Sequence, residues 1–376
     1  MPRARSLPAT GRRALGGHVR SVRYVGAGGY VPPRVVRNDR ITRAIPGWAP
    51  ERIEDRIGIA ERRFLWDFDE GTGRAIPPAP GADGPRSNVD MAEIAVRQAL
   101  ERAGLRPQQL DAVFLVTTTP DELNFCRDAV ELHHRLGCRS DATAFTIDSG
   151  CGGAVYVADL ARKLILSGRD RTVAVVASNF TSPYLDREVF TSPMPGKPRV
   201  NAFLTMYIFG DGAGALILRG DEGTRLGVVA STAATDHPEL VIHRAGGAQL
   251  QPSRATMADH AFFMDGPLVA EAYPLYMHRA MEELRAAAPE VIPEIRRYYL
   301  HQANRRIVLG FAEQERMPLD RVPLNINRYG NTSAASTILL FSEDLEEGRV
   351  KLGSGDPVLF AAAGAGVHFG GQIVRV

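Results

Sequence analysis

Ala144-Phe145-Thr146-Ile147-Asp148-Ser149-Gly150-Cys151-Gly152-Gly153 carries the reading on which the fold turns. An apolar run of strand length, Ala144 to Ile147, breaks into a turn with glycines at 150, 152 and 153. A helical stretch follows from Ala154 to Ser167, stopped by Gly168. Three glycines beside one cysteine waste helix propensity unless the backbone must turn sharply and expose the sulfur. Cys151 is therefore expected on a strand-to-helix turn, at the positive end of a helix dipole that stabilises a nucleophilic thiolate. The competing reading is a small buried hydrophobe, the usual fate of a free cysteine.

Strand-like and helical segments alternate outward from this turn. Val113–Val116, Thr172–Ala177 and Gly214–Leu218 read as further strands, and Ser87–Ala103, ending at Gly104, as a helix with Asp90 and Glu93 in its first turns. The second half repeats the order. Its strands are Leu226–Ala230, Tyr298–Leu300 and Val358–Ala362, and its helices Pro267–Leu284 and Asn304–Glu315. This rhythm predicts an α/β protein with mostly parallel sheet buried on both faces. Residues 1–18, with four Arg and no periodicity, read as a mobile basic tail. Two loops, 67–85 and 183–198, rich in Pro and Gly or Asp, are long for a compact domain and read as lids over a substrate tunnel or as surface decoration.

Composition narrows the function. The 376 residues, 44% hydrophobic, can bury a large core. Forty-five basic against 43 acidic residues gives no reason to expect nucleic acid as a partner. No apolar run is long enough to span a membrane and the Arg-rich start lacks a signal-peptide core, so a cytoplasmic setting is expected. Three cysteines, Cys126, Cys138 and Cys151, make no disulfide framework, and neither they nor the adjacent His133-His134 have metal-ligand spacing.

Two distant motifs complete the chemistry: His301-Gln302-Ala303-Asn304, after Arg297–Leu300, and Tyr329-Gly330-Asn331-Thr332-Ser333-Ala334-Ala335-Ser336, after Val322–Ile326. A thiol, an imidazole and a carboxamide, each behind an apolar run, are expected to meet at one end of a sheet. His301 suits thiol activation or carbonyl polarisation. Asn331, which also looks like a helix N-cap, carries an amide N–H that donates at any pH. Two such donors aimed at one oxygen would hold an enolate.

These motifs resemble the β-ketoacyl carrier-protein synthase III family of the thiolase-like superfamily, from about Arg20 to Val376. The resemblance extends to Arg56-Ile57-Gly58-Ile59-Ala60-Glu61-Arg62, Val116-Thr117-Thr118-Thr119-Pro120-Asp121, Phe209-Gly210-Asp211-Gly212-Ala213-Gly214-Ala215 and Met264-Asp265-Gly266. It implies a duplicated fold layered α-β-α-β-α, with two mostly parallel mixed sheets around central helices. The halves would be 19–221, with the nucleophile, and 222–376, with His and Asn. It also implies that Cys151 takes an acyl group and that His301 and Asn331 support decarboxylative Claisen condensation with a malonyl-type thioester. The backbones of Cys151 and Ala365 would form an oxyanion site.

No permanent cofactor is implied; acyl-coenzyme A or a phosphopantetheinyl carrier protein is the substrate, and the partner is a second copy of the chain. By the same resemblance Arg56, Asn304 and Gly266 line the entrance, and Phe125 closes the partner's pocket. Arg296, Arg297, Arg305 and Arg306 could dock an acidic acyl carrier protein. The sequence departs from the family at Arg52, where an aromatic residue is usual, and at Gly150, Gly152 and Ala363, where smaller residues suggest room for a bulkier acyl group. Arg127, in a stretch normally made of small residues, could meet a carboxylated or otherwise polar acyl chain, though a salt bridge to Asp128 or at the surface is the favoured reading. The departures point to specialised polyketide metabolism ahead of fatty-acid initiation. Acyl transfer to an alcohol, amine or carrier thiol, and a non-catalytic subunit of a heteromeric synthase, are the alternatives.

Overall fold

Along Thr172–Asn179, Val173, Val175 and Ala177 face one core while Ala174 and Val176 face another. A strand buried on both faces needs a layer on each side. The computed structural model describes residues 21–376 except 195, 196, 224, 244, 246 and 249, with no side-chain placement at 197–199. The tail read at 1–18 lies outside the described residues.

Two sheets repeat one order. The first contains β1 (Ser21–Tyr30), β2 (Ala112–Val116), β3 (Thr143–Ile147), β4 (Thr172–Asn179) and β5 (Gly212–Asp221), arranged β1-β5-β4-β2-β3. The second contains β6 (Gly227–Thr235), β7 (Arg297–Leu300), β8 (Pro357–Gly364) and β9 (His368–Arg375), arranged β6-β9-β8-β7. Each starts with two antiparallel ladders and turns parallel at the far side. The sheets are mixed, as expected, but with at least as many antiparallel as parallel ladders in each. β5 and β9 each carry both antiparallel ladders of their sheet. In β1 and β9 the glycines (Gly26, Gly28, Gly29, Gly370, Gly371) dilute the apolar pattern that announces a strand.

Between the sheets lie the helices Gly153–Leu166 and Ser336–Glu346. Val155, Ala158, Ile165, Ile338 and Phe341 join Val175 of one sheet and Phe360 of the other in a shared core. Asn88–Ala103 covers the outer face of the first sheet, and Gly266–Ala287 and Arg305–Gln314 that of the second. Ser87 caps Asn88–Ala103 by accepting from the N–H of Asp90, whose side chain returns the bond, and Gly104 ends it at φ +63°.

The apolar run ahead of Asn331 forms no strand. Pro323 lacks an N–H for a ladder, and Val322–Ile326 runs from a 3-10 turn into the short helix Ile326–Tyr329. Asn331 is held instead by main-chain bonds to the Ile208–Gly210 segment, donating to Ile208 (2.7 Å) and accepting from Gly210 (3.1 Å).

Loop 67–85 begins as a hairpin, Asp67–Phe68 against Ala75–Ile76, tied to Arg40 through Asp67 (2.7 Å) and Glu70 (2.9 Å).

Candidate active site

The glycines of the nucleophile turn serve close approach. A Cβ on Gly150, which has φ +60°, would stand 2.0 Å from the carbonyl oxygen of Ala365; one on Gly152 would stand 2.0 Å from that of His368. Main chain from 364–368 therefore fills the space, and the acyl room expected from Gly150 and Gly152 is not there. Ala363 adds none either. It opposes Phe369 in the ladder and belongs to the outer core of the second sheet.

This approach brings the N–H of Ala365, with that of Cys151, to the sulfur. Cys151 precedes the helix start at Gly153, as expected. Burial nevertheless pushes its thiol up from the ordinary range, against the pull of Ser333 and the two amides, and Asp148 adds to the rise. The dipole does not win here. The resting group is a thiol, and its proton must leave as the bond to carbon forms.

Ser333 joins the three motifs. Its hydroxyl donates to Cys151 Sγ (3.4 Å), and its N–H donates to Asn331 Oδ1 (2.8 Å). A main-chain group of Ser333 also bonds the His301 ring. With Oδ1 committed, the Asn331 carboxamide keeps its NH2 for an incoming oxygen. Ser333 holds φ +51°, an uncommon value for a side chain other than glycine. Nothing in the motif around Ser333 assigns it a role; its conformation is the signal, and only the structure carries it.

His301 Nδ1 lies 2.8 Å from Ser336 Oγ, which also accepts from the N–H of Gln302 (3.3 Å). The serine hydrogen is then free for Nδ1. The tautomer assigned from this network carries its proton on Nε2. His301 and Asn331 are 1% and 2% exposed. Burial pulls the imidazole pKa down to about 3, so the ring is a neutral donor through the physiological range.

A cleft of about 770 Å³ opens from Cys151, with Thr119, Leu123, Cys126, Phe145 and Phe262 in its wall. No described residue of loop 67–85 or of 183–198 lines it, although Tyr184 packs on Phe262 (5.0 Å). Phe125 does not line this chain's own cleft. It is 96% exposed with φ +54°, and β3 is a sheet edge on which Phe145 is 57% exposed. Arg127 turns away to pair with Glu122 (2.9 Å) on the surface, neither entering the cleft nor meeting Asp128.

The expected docking arginines divide. Arg297 begins β7, with Arg296 just ahead of it, and His301 follows the strand's end, a separation of roughly 13–16 Å at strand rise. Arg297 is bound to buried Asp344 (2.6 Å), so it is a structural cation and not a docking one. Arg305 and Arg306 stand exposed at the start of Arg305–Gln314, and Arg305 packs on Gly58. Asn304 caps that helix and donates to the carbonyl of Arg56 (3.3 Å). Arg52 stacks on Trp48 (4.6 Å), an aromatic neighbour the sequence reading passed over. Gly266 starts its helix with open space beside it.

Among the described residues no group of three or more His, Cys, Asp or Glu stands close enough to hold a metal ion, and no helix is long and apolar enough to cross a membrane.

Comparison with known proteins agrees with the geometry. Family models described as 3-oxoacyl-[acyl-carrier-protein (ACP)] synthase III and its C-terminal part match residues 145–237 and 286–376. The chain is 33% identical over 362 residues to a β-ketoacyl-[acyl-carrier-protein] synthase III of Rhodospirillum centenum, covering 95% of this chain and 99% of that one. A second relative, from Bacteroides thetaiotaomicron, is also 33% identical, over 93% and 95% of the two chains. Crystal structures of 3-oxoacyl-[acyl-carrier-protein] synthase III from Aquifex aeolicus (TM-score 0.75, 27% identity, 94% and 100% covered) and of the priming β-ketosynthase of the R1128 polyketide pathway (0.76, 25%, 96% and 97%) superpose on it. With this fold and this similarity over nearly its whole length, the chain belongs to the β-ketoacyl-[acyl-carrier-protein] synthase III family of acyl-transferring condensing enzymes.

Proposed function

We propose that the chain takes an acyl group from a coenzyme A or carrier-protein thioester onto Cys151 and condenses it with a malonyl-type thioester. The carrying observation is the Ser333-centred cluster, in which a thiol meets a neutral imidazole and a carboxamide with its NH2 free. In loading, the thiol loses its proton as sulfur attacks the thioester carbonyl, and the N–H groups of Cys151 and Ala365 hold the tetrahedral oxyanion. The leaving thiolate takes a proton. In the second half, the malonyl carboxylate leaves as carbon dioxide. Nε2–H of His301 and the amide of Asn331 hold the enolate oxygen until its carbon attacks the acyl-cysteine, which releases the sulfur. A carboxylate at 331 would act as a base; the carboxamide favours condensation over transfer to an alcohol or amine.

Arg56, Arg305 and Arg306 form the basic entrance, with Asn304 and Gly266 beside it and Arg52 on Trp48. Acidic carrier proteins suit such a face, and the priming ketosynthase named above supports a place in polyketide initiation. The open edge of β3 and the outward Phe125 favour a homodimer in which each Phe125 closes the other cleft. The nucleophile half, 19–221, and the His–Asn half, 222–376, each centre on one sheet. Three free thiols suit the cytoplasm. Intact mass after addition of acyl thioester, followed by carbon dioxide release on adding malonyl thioester, tests the reading. An adduct without carbon dioxide would leave plain acyl transfer in its place.

A further inference from the structure

The wall of the cleft is less hydrocarbon-like than its apolar side chains suggest. Of its polar residues, Thr119 accepts from Phe180 (2.7 Å), Asn179 donates to Gly210 (2.7 Å) and Thr181 donates to Asp211 (3.1 Å). Those groups serve the fold. Others are less engaged. Oγ of Ser149, Nε2 of His243 and Nδ1 of His368 have no hydrogen-bond partner among the described residues. Asp148, three residues ahead of Cys151, keeps an accessible side chain on the cleft.

Asp148 is the one side chain with a formal charge at neutral pH among the described residues lining the cleft; no described Arg or Lys is there. No ion pair to it occurs among the described residues. The N–H of Gly150 bonds it and the ring of His368 faces it. Partial burial holds its carboxyl above the usual carboxylate range, which marks a charge short of partners. A half-dry carboxylate gains most from a group that brings a proton, and repels another carboxylate.

We propose that the cleft selects acyl chains carrying a hydrogen-bond donor, a hydroxyl or an ammonium, which docks on Asp148, and rejects chains ending in a carboxylate. The inference rests on the reading of Cys151 as the acylated residue. Arg127, paired with Glu122 on the surface, offers no counter-charge to a carboxylated chain.

Loading rates measured by intact mass with the coenzyme A thioesters of hexanoate, 6-hydroxyhexanoate, 6-aminohexanoate and adipate, and with the matching four-carbon set, test it. The hydroxy or amino chain of at least one set should load about tenfold faster than the plain chain, and the carboxylated chain about tenfold slower. Asp148→Asn keeps an acceptor oxygen and loses the charge. It should retain preference for hydroxyl, lose preference for ammonium, and admit the carboxylated chain about tenfold faster. Asp148→Ala should level all the ratios. Ratios within one protein do not depend on how much of it folds. Equal loading of plain and carboxylated chains on the unaltered protein, or a preference that survives in Asp148→Ala, overturns the assignment. No adduct with any thioester would break the reading of Cys151 and the inference with it.

Discussion

The cluster beneath Cys151 and the cleft above it are built to opposite rules. Below, polar atoms are engaged: Ser333 ties thiol to carboxamide, Ser336 holds the imidazole, and the reacting donors are aimed by bonds the fold makes anyway. Above, Ser149 Oγ and two histidine nitrogens lack partners among the described residues, Asp148 has a backbone N–H but no ion pair, and Phe125 and Phe145 face outward. A closed, satisfied cluster fixes a reaction, because electrostatic catalysis needs donors that do not reorganise. An open, unsatisfied wall leaves the choice of acyl chain, and of a covering surface, to what binds there.

The contrast can be broken at several points. Removing the nucleophile by Cys151→Ala should abolish the acyl adduct and lower condensation by at least about 10⁴-fold. Cys126 lines the same cleft, and its thiol is likewise pushed up, chiefly by burial. It lacks the amide pair at Cys151 and should stay unmodified; peptide mapping that found the adduct there would erase the distinction between the regions. Phe145→Asp places a charge on the open edge of β3 and should weaken dimerisation about 100-fold or more, read by light scattering over a dilution series. An unchanged mass would mean that this edge is not an interface.

Smaller effects are expected at the entrance. Arg306→Glu should slow loading from acyl-carrier protein about tenfold and from acyl-coenzyme A by less than about twofold. The gap should close near 1 M salt, where the Debye length is about 3 Å. Equal loss with both donors would move Arg306 into the shared path. The smallest change should come from pH. Condensation by preloaded enzyme should vary less than about twofold between about pH 6 and 8, since His301 stays neutral; a step near 6.5 would show an ordinary, solvated imidazole. The sign for stability follows. The unfolded ring takes a proton near 6.5 and the folded one only near 3. Its contribution is whole above about 6.5 and is lost as the pH falls toward 3.

What the sequence revealed divides along the same line. Cys151 was legible because glycines punctuate its turn, and the helix Asn88–Ala103 because a capping serine and a C-terminal glycine bracket it. β1 and β9 were hidden by glycine, and the apolar run Val322–Ile326 turns out to be no strand, since Pro323 cannot donate to a ladder. The four arginines near His301 looked like one patch, since sequence distance does not show that β7 carries two of them to its other end and that Asp344 takes one. Ser333 was invisible as a connector because its role depends on a positive φ and on packing. The acyl preference was misread because a small residue signals room only when nothing else fills it. At Gly150 and Gly152, main chain does.

The assignment of condensation to the lower cluster turns on the carboxamide of Asn331. Loading and carbon dioxide release should be measured side by side, on one preparation each, for the unaltered protein, Asn331→Ala and Asn331→Asp. Acyl-Cys151 should accumulate in both variants at near the normal rate, while carbon dioxide release falls about 10²–10³-fold. Undiminished carbon dioxide release, or loading that fails as steeply as condensation, would contradict it.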